Sequence, residues 1–272
     1  MEKINKEFIQ KLYVDQLKST YEIAKEMGVH RSTVCKALKK FDIKTRFQKK
    51  RDIVENRQLN DYQRNFLIGS LLGDGHITKC NNRTSSYKTS HSIKQKDYIH
   101  WIKDIFDDLG SNISKQVAYN KKYDKSYVFY NFSTLSVPEL NYFRKTFYNA
   151  SGKKIVPDSI DHIFTEKISL AVWFMEDGTY SLRNKSTYMC TDCFTRDEHV
   201  KLMKMLKNNF SLNANIVSYK NTHRLWLSSK ETKKMQDIIR FYVIESMRYK
   251  LCNDFQIREP VGNTDFEKIN AV

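Results

Sequence analysis

Hydrophobic and polar positions beyond residue 59 fall into two periods that alternate in a fixed order. Apolar residues at helical spacing predict a helix over 61–73, and strict alternation predicts strands near 76–79 and 86–95. The stretch "DYIHWIKDIFDDLG" returns to helical spacing, alternating segments follow around 113–119 and 126–133, and a helix over 137–147 closes the series. The same series then starts again. An apolar helix over 167–176 leads to alternating segments near 179–183 and 186–194 and to the helical "RDEHVKLMKMLKNNF". The strand-like "NANIVSYK" and "HRLWLSS" and the helical "KETKKMQDIIRFYV" complete it. Each copy reads α-β-β-α-β-β-α. Local signals align as well: "KDIFDDLGSNI" parallels "LKNNFSLNANI", and "LIGSLLGDG" at 67–75 parallels "LAVWFMEDG" at 170–178, which sets Asp74 and Asp177 103 residues apart. Such duplication predicts an α+β fold with pseudo-twofold symmetry and the two apolar helices as its seam.

The first fifty residues are helical in pattern. After Ser19 or Thr20 as N-cap, Ile23, Ala24 and Met27 share an apolar face, Gly28 turns the chain, Val29 packs the turn, and a second short helix starts near Arg31. Val34, Ala37 and Leu38 then point inward, leaving Arg31, Ser32, Thr33, Lys36 and Lys39 outward. This is a helix-turn-helix pattern: a small residue where two helices cross, a glycine able to take positive φ, and a polar face suited to the bases and phosphates of a major groove. A plain three-helix packing module would use the same core. Charge favours DNA, since residues 1–58 hold 15 basic and 8 acidic residues, +7 of the chain's +16. The expected division is a small all-α helix-turn-helix domain over 1–48, a basic linker over 49–58, two halves over 59–160 and 161–258, and a C-terminal tail over 259–272.

Composition points the same way. The 272 residues include 47 Lys and Arg against 31 Asp and Glu, with 13% aromatic residues, so a polyanion is the natural partner of a chain with enough apolar material for a core. No apolar run approaches the roughly 18 residues of a membrane span, and "MEKINKEFIQ" lacks a signal peptide's apolar core. The chain is expected inside a cell, in the cytoplasm or nucleoid of a bacterial, phage or organellar system, with no membrane partner. Five cysteines at irregular spacing fit reduced thiols. "CTDC" at 190–193 has no second Cys or His pair at zinc-site spacing, and His199 nearby adds no such pair.

At the expected seam both helices end on a carboxylate, Asp74 and Asp177. Gly69 and Gly73 lie on one face of the first helix, and each helical glycine costs roughly 1 kcal/mol relative to alanine, which implies close approach of a partner backbone. A carboxylate at a helix C-terminus is opposed by the macrodipole, so a positive group should compensate, and a shared Mg²⁺ would suit hard oxygen donors. For one copy alone, Asp-Gly reads as a helix stop; two copies at matching positions in a duplicated basic chain argue for a paired site.

The two stretches "LIGSLLGDG" and "LAVWFMEDG" resemble the signature motifs of single-chain LAGLIDADG homing endonucleases, with similarity over roughly 59–256 that extends to "YNFSTLSVPELN", "GKKIVP" and "SMRYKL". The resemblance implies two αββαββα halves whose sheets straddle DNA in the major groove, and motif carboxylates that hold divalent metal and cut both strands with a stagger. Asp74 and Asp177 would be the metal-binding acids. Lys154 and Lys250 would organise solvent or stabilise the phosphorane-like charge, although by themselves they are two of 47 basic residues. Gln95 and Asp192 would be the polar strand residues beside the scissile phosphates. In the second motif Val172 and Glu176 replace Gly69 and Gly73, so packing there should differ, and Glu176 would stand as a nonproductive acid beside Asp177.

The implied activity is site-specific, Mg²⁺-dependent double-strand cleavage of DNA, with Mn²⁺ as a substitute ion, by a monomer with no obligate protein partner. The strands carry Lys, Arg, Asn, Ser, Thr and Tyr for phosphate and base contacts, while Ile77, Ile93, Val128 and Leu225 should face helices. The rival readings are a maturase of the same fold that binds intron RNA to assist splicing, and a transcription regulator that binds DNA without cutting. Both rivals predict degraded acids, whereas both Asp residues are present.

Overall fold

The computed structural model describes residues 5–46 and 57–252, so the expected linker, apart from residues 57 and 58, and the C-terminal tail lie outside the described residues. The chain divides into two compact units, Met1–Asn56 and Arg57–Val272. No described helix is long and apolar enough to cross a membrane.

In the first unit a helix over Lys6–Gln10 runs on into a π-turn over Lys11–Asp15, followed by helices over Thr20–Glu26 and Arg31–Lys40. Ser19 caps the middle helix with a reciprocal capping box: its hydroxyl accepts from the Glu22 N–H, and the Glu22 carboxylate accepts from the Ser19 N–H. Gly28 takes φ +62° in the turn, a conformation in which any side chain would be strained. Ile9, Leu12, Ile23, Ala24, Val34 and Leu38 form the core. Arg31, Ser32, Thr33, Lys36 and Lys39 are all exposed. Arg31 is partly committed, since its Nε donates to Thr20 Oγ1 at 3.0 Å and its guanidinium lies 4.4 Å from the Tyr21 ring centre.

The second unit is the duplication. Strands β1 (His76–Lys79), β2 (Ser85–Ser92), β3 (Asn112–Asn120) and β4 (Lys125–Ser133) form an antiparallel sheet in the order β1-β2-β4-β3. Strands β5 (Gly178–Ser181), β6 (Ser186–Met189), β7 (Ala214–Tyr219) and β8 (Thr222–Leu227) repeat that order as β5-β6-β8-β7. Helices Lys96–Ile105 and Leu140–Phe147 serve the first sheet, and Arg196–Phe210 and Ser229–Ile239 the second. The alternation works as it should: Ile77, Tyr87, Phe132, Met189, Leu225 and Leu227 are buried beneath helices, while register puts Lys88, Ser90, Asn131 and Gln116 together on the other face of the first sheet. The strands are 4, 8, 9 and 9 residues long in the first sheet, and 4, 4, 6 and 6 in the second.

Several boundaries differ from the periodicity. Strand β2 stops at Ser92 and a 3-10 turn over Ile93–Gln95 replaces its expected end, so Ile93 does not face a helix but is 50% exposed. Strand β6 stops at Met189, which puts Asp192 in a turn. Gln95 and Asp192 are therefore not strand residues. Alternation cannot register where hydrogen-bonded pairing ends, because the polarity pattern runs on through a turn. A short helix over Ile160–Ile163 went unrecognised; its four residues are too few to show a period.

The seam helices, Asp61–Leu72 and Lys167–Asp177, pack backbone to backbone. A methyl group built on Gly69 would stand 2.2 Å from the Ser169 carbonyl oxygen, so the helices could not remain where they are. Gly69→Ala should therefore lower the unfolding free energy by about 1–3 kcal/mol despite alanine's better helix propensity. Tryptophan fluorescence in a urea titration measures this directly, since Trp101, Trp173 and Trp226 all lie in the second unit. An unchanged midpoint would contradict close packing at Gly69.

Candidate functional site

Both seam helices deliver their carboxylates to the same end. Asp74 follows the first helix with its side chain 47% exposed, and Asp177 ends the second, partly buried. Burial, then the charge of Asp74, pushes the Asp177 carboxyl up to about 7, against the pull of Lys154 and Lys250.

The two lysines do not pair with the acids directly. Lys154 Nζ donates to the carbonyls of Gly73 and Gly75 at 2.7 and 2.8 Å, and Lys250 Nζ to those of Met175 and Glu176 at 2.5 and 3.1 Å. Each ammonium thus occupies the negative end of one seam helix, where the unpaired carbonyls and the macrodipole favour a cation. Burial lowers the pKa of both lysines, and the surrounding acids resist that shift. A β-bridge between Tyr148 and Lys154 positions the first lysine. The second sits on a 3-10 turn over Glu245–Lys250 anchored by the fully buried Met247.

Glu176 overturns its expected place beside Asp177. Its side chain crosses the seam, where Oε2 accepts from the Asp74 N–H at 2.8 Å and Oε1 accepts from Ser70 Oγ at 2.8 Å and Tyr98 OH at 2.9 Å. The space it fills is the one Gly73 leaves: a methyl group there would meet Glu176 Oε2 at 2.5 Å. The offset of 103 also matches Gly69 with Val172 and Ser70 with Trp173, small with large, and Phe66 with Ser169 and Ile68 with Ala171, large with small. The second motif is complementary to the first.

Gln95 enters the site through His91, a residue that sequence reasoning missed. His91 is buried on the helix-facing side of β2, with Nδ1 3.1 Å from Gln95 Oε1 and 3.8 Å from Asp74 Oδ2, and Nε2 3.1 Å from Thr89 Oγ1. Its pKa is lowered by burial, with Asp74 and Gln95 opposing. The available signal was its alternation with Thr89 in "KTSHS", which places a polar ring where an apolar residue belongs. Gln95 Nε2 in turn donates to Tyr249 OH at 3.2 Å, tying the first half to the segment that carries Lys250. Asp192 lies near enough for its charge to help raise Asp177, but its carboxylate accepts from Arg224 and Thr222 and makes no hydrogen bond to this group. In the "CTDC" segment Cys190 N–H donates to the Asp177 carbonyl at 3.0 Å, and His199 nearby is held by Thr191 and the Thr195 carbonyl.

Fold and site define a single chain of two αββαββα halves with paired carboxylates at the seam. Residues 64–235 match the LAGLIDADG DNA endonuclease family, and the chain belongs to that family. The solved structure of the homing endonuclease I-WcaI bound to its DNA recognition sequence superposes with a TM-score of 0.67 and 26% identity, over 74% of this chain and 91% of that one. A probable intron-encoded endonuclease 1 from Wickerhamomyces canadensis is 30% identical over 71% of this chain and 85% of its own length. RecA from Mycobacterium shimoidei is 26% identical over 76% of this chain and 50% of its own, so the chain spans about half the length of such relatives.

Burial and then the Asp74 charge push the Glu176 carboxyl from 4.5 up to about 8, which means the folded state holds its proton more tightly than the unfolded chain does. Its contribution to stability is full below about pH 4.5 and is lost as pH rises through about 8. In EDTA, the wild type should therefore lose stability across that window more steeply than Glu176→Gln, by at most about 1.4 kcal/mol per pH unit. Glutamine keeps an acceptor for the Asp74 N–H and offers its amide to the Ser70 and Tyr98 hydroxyls, which can accept. Equal slopes in chemical unfolding series from pH 5 to 8 would refute this account of Glu176.

Proposed function

We propose that this chain is a site-specific homing endonuclease that makes a staggered double-strand break in DNA by metal-dependent hydrolysis. The observation that carries the reading is the seam itself: two carboxylates from matching helix ends, with a lysine fixed on the main-chain carbonyls at each end and each lysine acting on both acids. Asp74 and Asp177 would hold Mg²⁺, for which Mn²⁺ substitutes. The donor set fits such an ion, because both ligands are oxygen anions at helix ends that oppose negative charge, and the Asp74 charge helps to raise Asp177. A hard cation held by two carboxylates would take its remaining oxygens from water and phosphate. Bound there, the ion supplies a Lewis acid for the phosphate and a more acidic attacking water.

The protein's own groups do the rest. Lys154 and Lys250 hold fixed positive charge near the seam, where negative charge grows as a phosphodiester is attacked. The polar faces of the two sheets bind and align the duplex, and Gln95 is oriented towards the same end by His91 and Tyr249. The first unit adds a helix-turn-helix contact through Ser32, Thr33, Lys36 and Lys39, with Arg31 braced on Tyr21. The working state is a monomer, since both halves of the site lie in one chain.

Digestion of duplex DNA carrying the uninterrupted insertion site decides the matter. Wild type with Mg²⁺ or Mn²⁺ should cut both strands, and EDTA should abolish cutting. Asp74→Asn and Asp177→Asn should each reduce it on the order of 100-fold or more while retaining binding. Wild type that binds this duplex without cutting it sinks the enzyme reading. Deleting residues 1–50 should weaken binding about 10- to 100-fold and leave cleavage measurable at high protein concentration. Unchanged affinity in a gel-shift titration would remove the first unit from target binding.

A further inference from the structure

The two sheets offer unequal surfaces to a duplex. In the first, strands of 8 and 9 residues bring Lys88, Ser90, Gln116 and Asn131 to one face, with Tyr127 and Phe129 among them. In the second, the matching face of the shorter strands holds Thr179 opposite Tyr188, Trp226 between Tyr188 and Asn215, Val217 opposite Arg224 and Tyr219 opposite Thr222. Arg224 is the one Lys or Arg in strands β5 to β8.

That arginine is held on two sides. Its Nε donates to both oxygens of the Asp192 carboxylate, at 2.9 and 2.8 Å, and the same carboxylate accepts from Thr222 Oγ1 at 2.9 Å. Its guanidinium carbon lies 3.4 Å from the centre of the Tyr219 ring. No described residue hydrogen-bonds the other edge of the guanidinium, which presents the Nη1 and Nη2 donors side by side. Such a planar fork matches guanine O6 and N7 in the major groove. Fixing it beforehand reduces the rotamer entropy lost on contact.

We infer that Arg224, braced by Asp192 and Tyr219, reads one guanine in the half-site beneath the second sheet, and that Asp192 is a positioning residue for that contact. The inference rests on the DNA-binding reading given under Proposed function. It assigns Asp192 to recognition. It also makes the target lopsided: the arm under the second sheet has one fixed cationic reader, with Asn215 as a further polar contact and Tyr188, Val217 and Trp226 adding shape and thymine-methyl contacts, while the arm under the first is read at several positions.

The test takes the full chain and a library of random duplexes of about 30 base pairs. One selection is for binding in EDTA and another for cutting in Mg²⁺, with wild type, Arg224→Lys, Asp192→Asn and Asp192→Glu. Wild type should enrich one near-invariant guanine in one arm, and replacing that base pair should weaken binding about 5- to 150-fold, the range equivalent to the 1–3 kcal/mol of a bidentate base contact. Arg224→Lys keeps the charge and loses the fork, so the guanine preference should vanish at that position alone. Asp192→Asn should erode the same preference by a smaller factor, and Asp192→Glu should restore part of it. Three results overturn the inference: an even loss across all duplexes in Arg224→Lys, which marks a phosphate contact; a guanine preference that survives Arg224→Lys; and slower cutting by Asp192→Asn with the preference intact. Duplexes enriched by binding yet never cut would overturn the nuclease assignment, while the guanine preference would still decide the role of Arg224.

Discussion

The constraint on which the second unit depends is the contact between two helices too close for side chains on both. Gly69 lies against the Ser169 backbone, and Gly73 leaves the room that Glu176 fills. Residues of unequal size at matching positions of the two helices make the contact self-consistent without exact symmetry. Glu176 then converts packing into positioning, because its carboxylate accepts the backbone N–H of Asp74 and so holds the end of the helix that delivers this acid. Beneath it Ser70, Tyr87 and Tyr98 form a buried polar network, in which Ser70 Oγ lies 2.7 Å from Tyr87 OH. A buried network of this kind specifies one arrangement only when each member is satisfied, and these members are.

Electrostatics follow from that geometry. Two helix C-termini meet, each adding partial negative charge to the carboxylate beside it. Lys154 and Lys250 answer from outside the helices, and their contact with main-chain carbonyls leaves the carboxylate oxygens available. The seam is charged yet incompletely neutralised. An exposed Asp74 and a half-buried Asp177 with a raised pKa make its two sides chemically different, although they arise from one repeated motif.

The same inequality recurs in the sheets. One has long strands, and the other short ones whose one Lys or Arg, Arg224, is stacked and ion-paired. A duplicated chain relieved of strict symmetry can give its halves different tasks, and a separate compact unit over Met1–Asn56 carries a further exposed basic helix.

Much of this was legible in the residues. Strand alternation, helical spacing, capping residues and the repeat around Asp74 and Asp177 are local or periodic signals, and they were enough for the order of elements, the seam and the close approach at Gly69. The exchange across the seam was not legible. Glu176 beside Asp177 in sequence reads as a neighbour of that acid, and only the packing of the opposite helix turns it towards Asp74. His91 read as part of an alternating strand, and Asp192 as a strand residue, because polarity shows which face a residue takes but not where pairing stops or which partner waits there. Sequence alone determined the duplicated fold and the two acids, because those rest on periods and on a repeat. Tertiary structure decided which charges meet, because that depends on helix separation and strand register, quantities set jointly by residues a hundred positions apart.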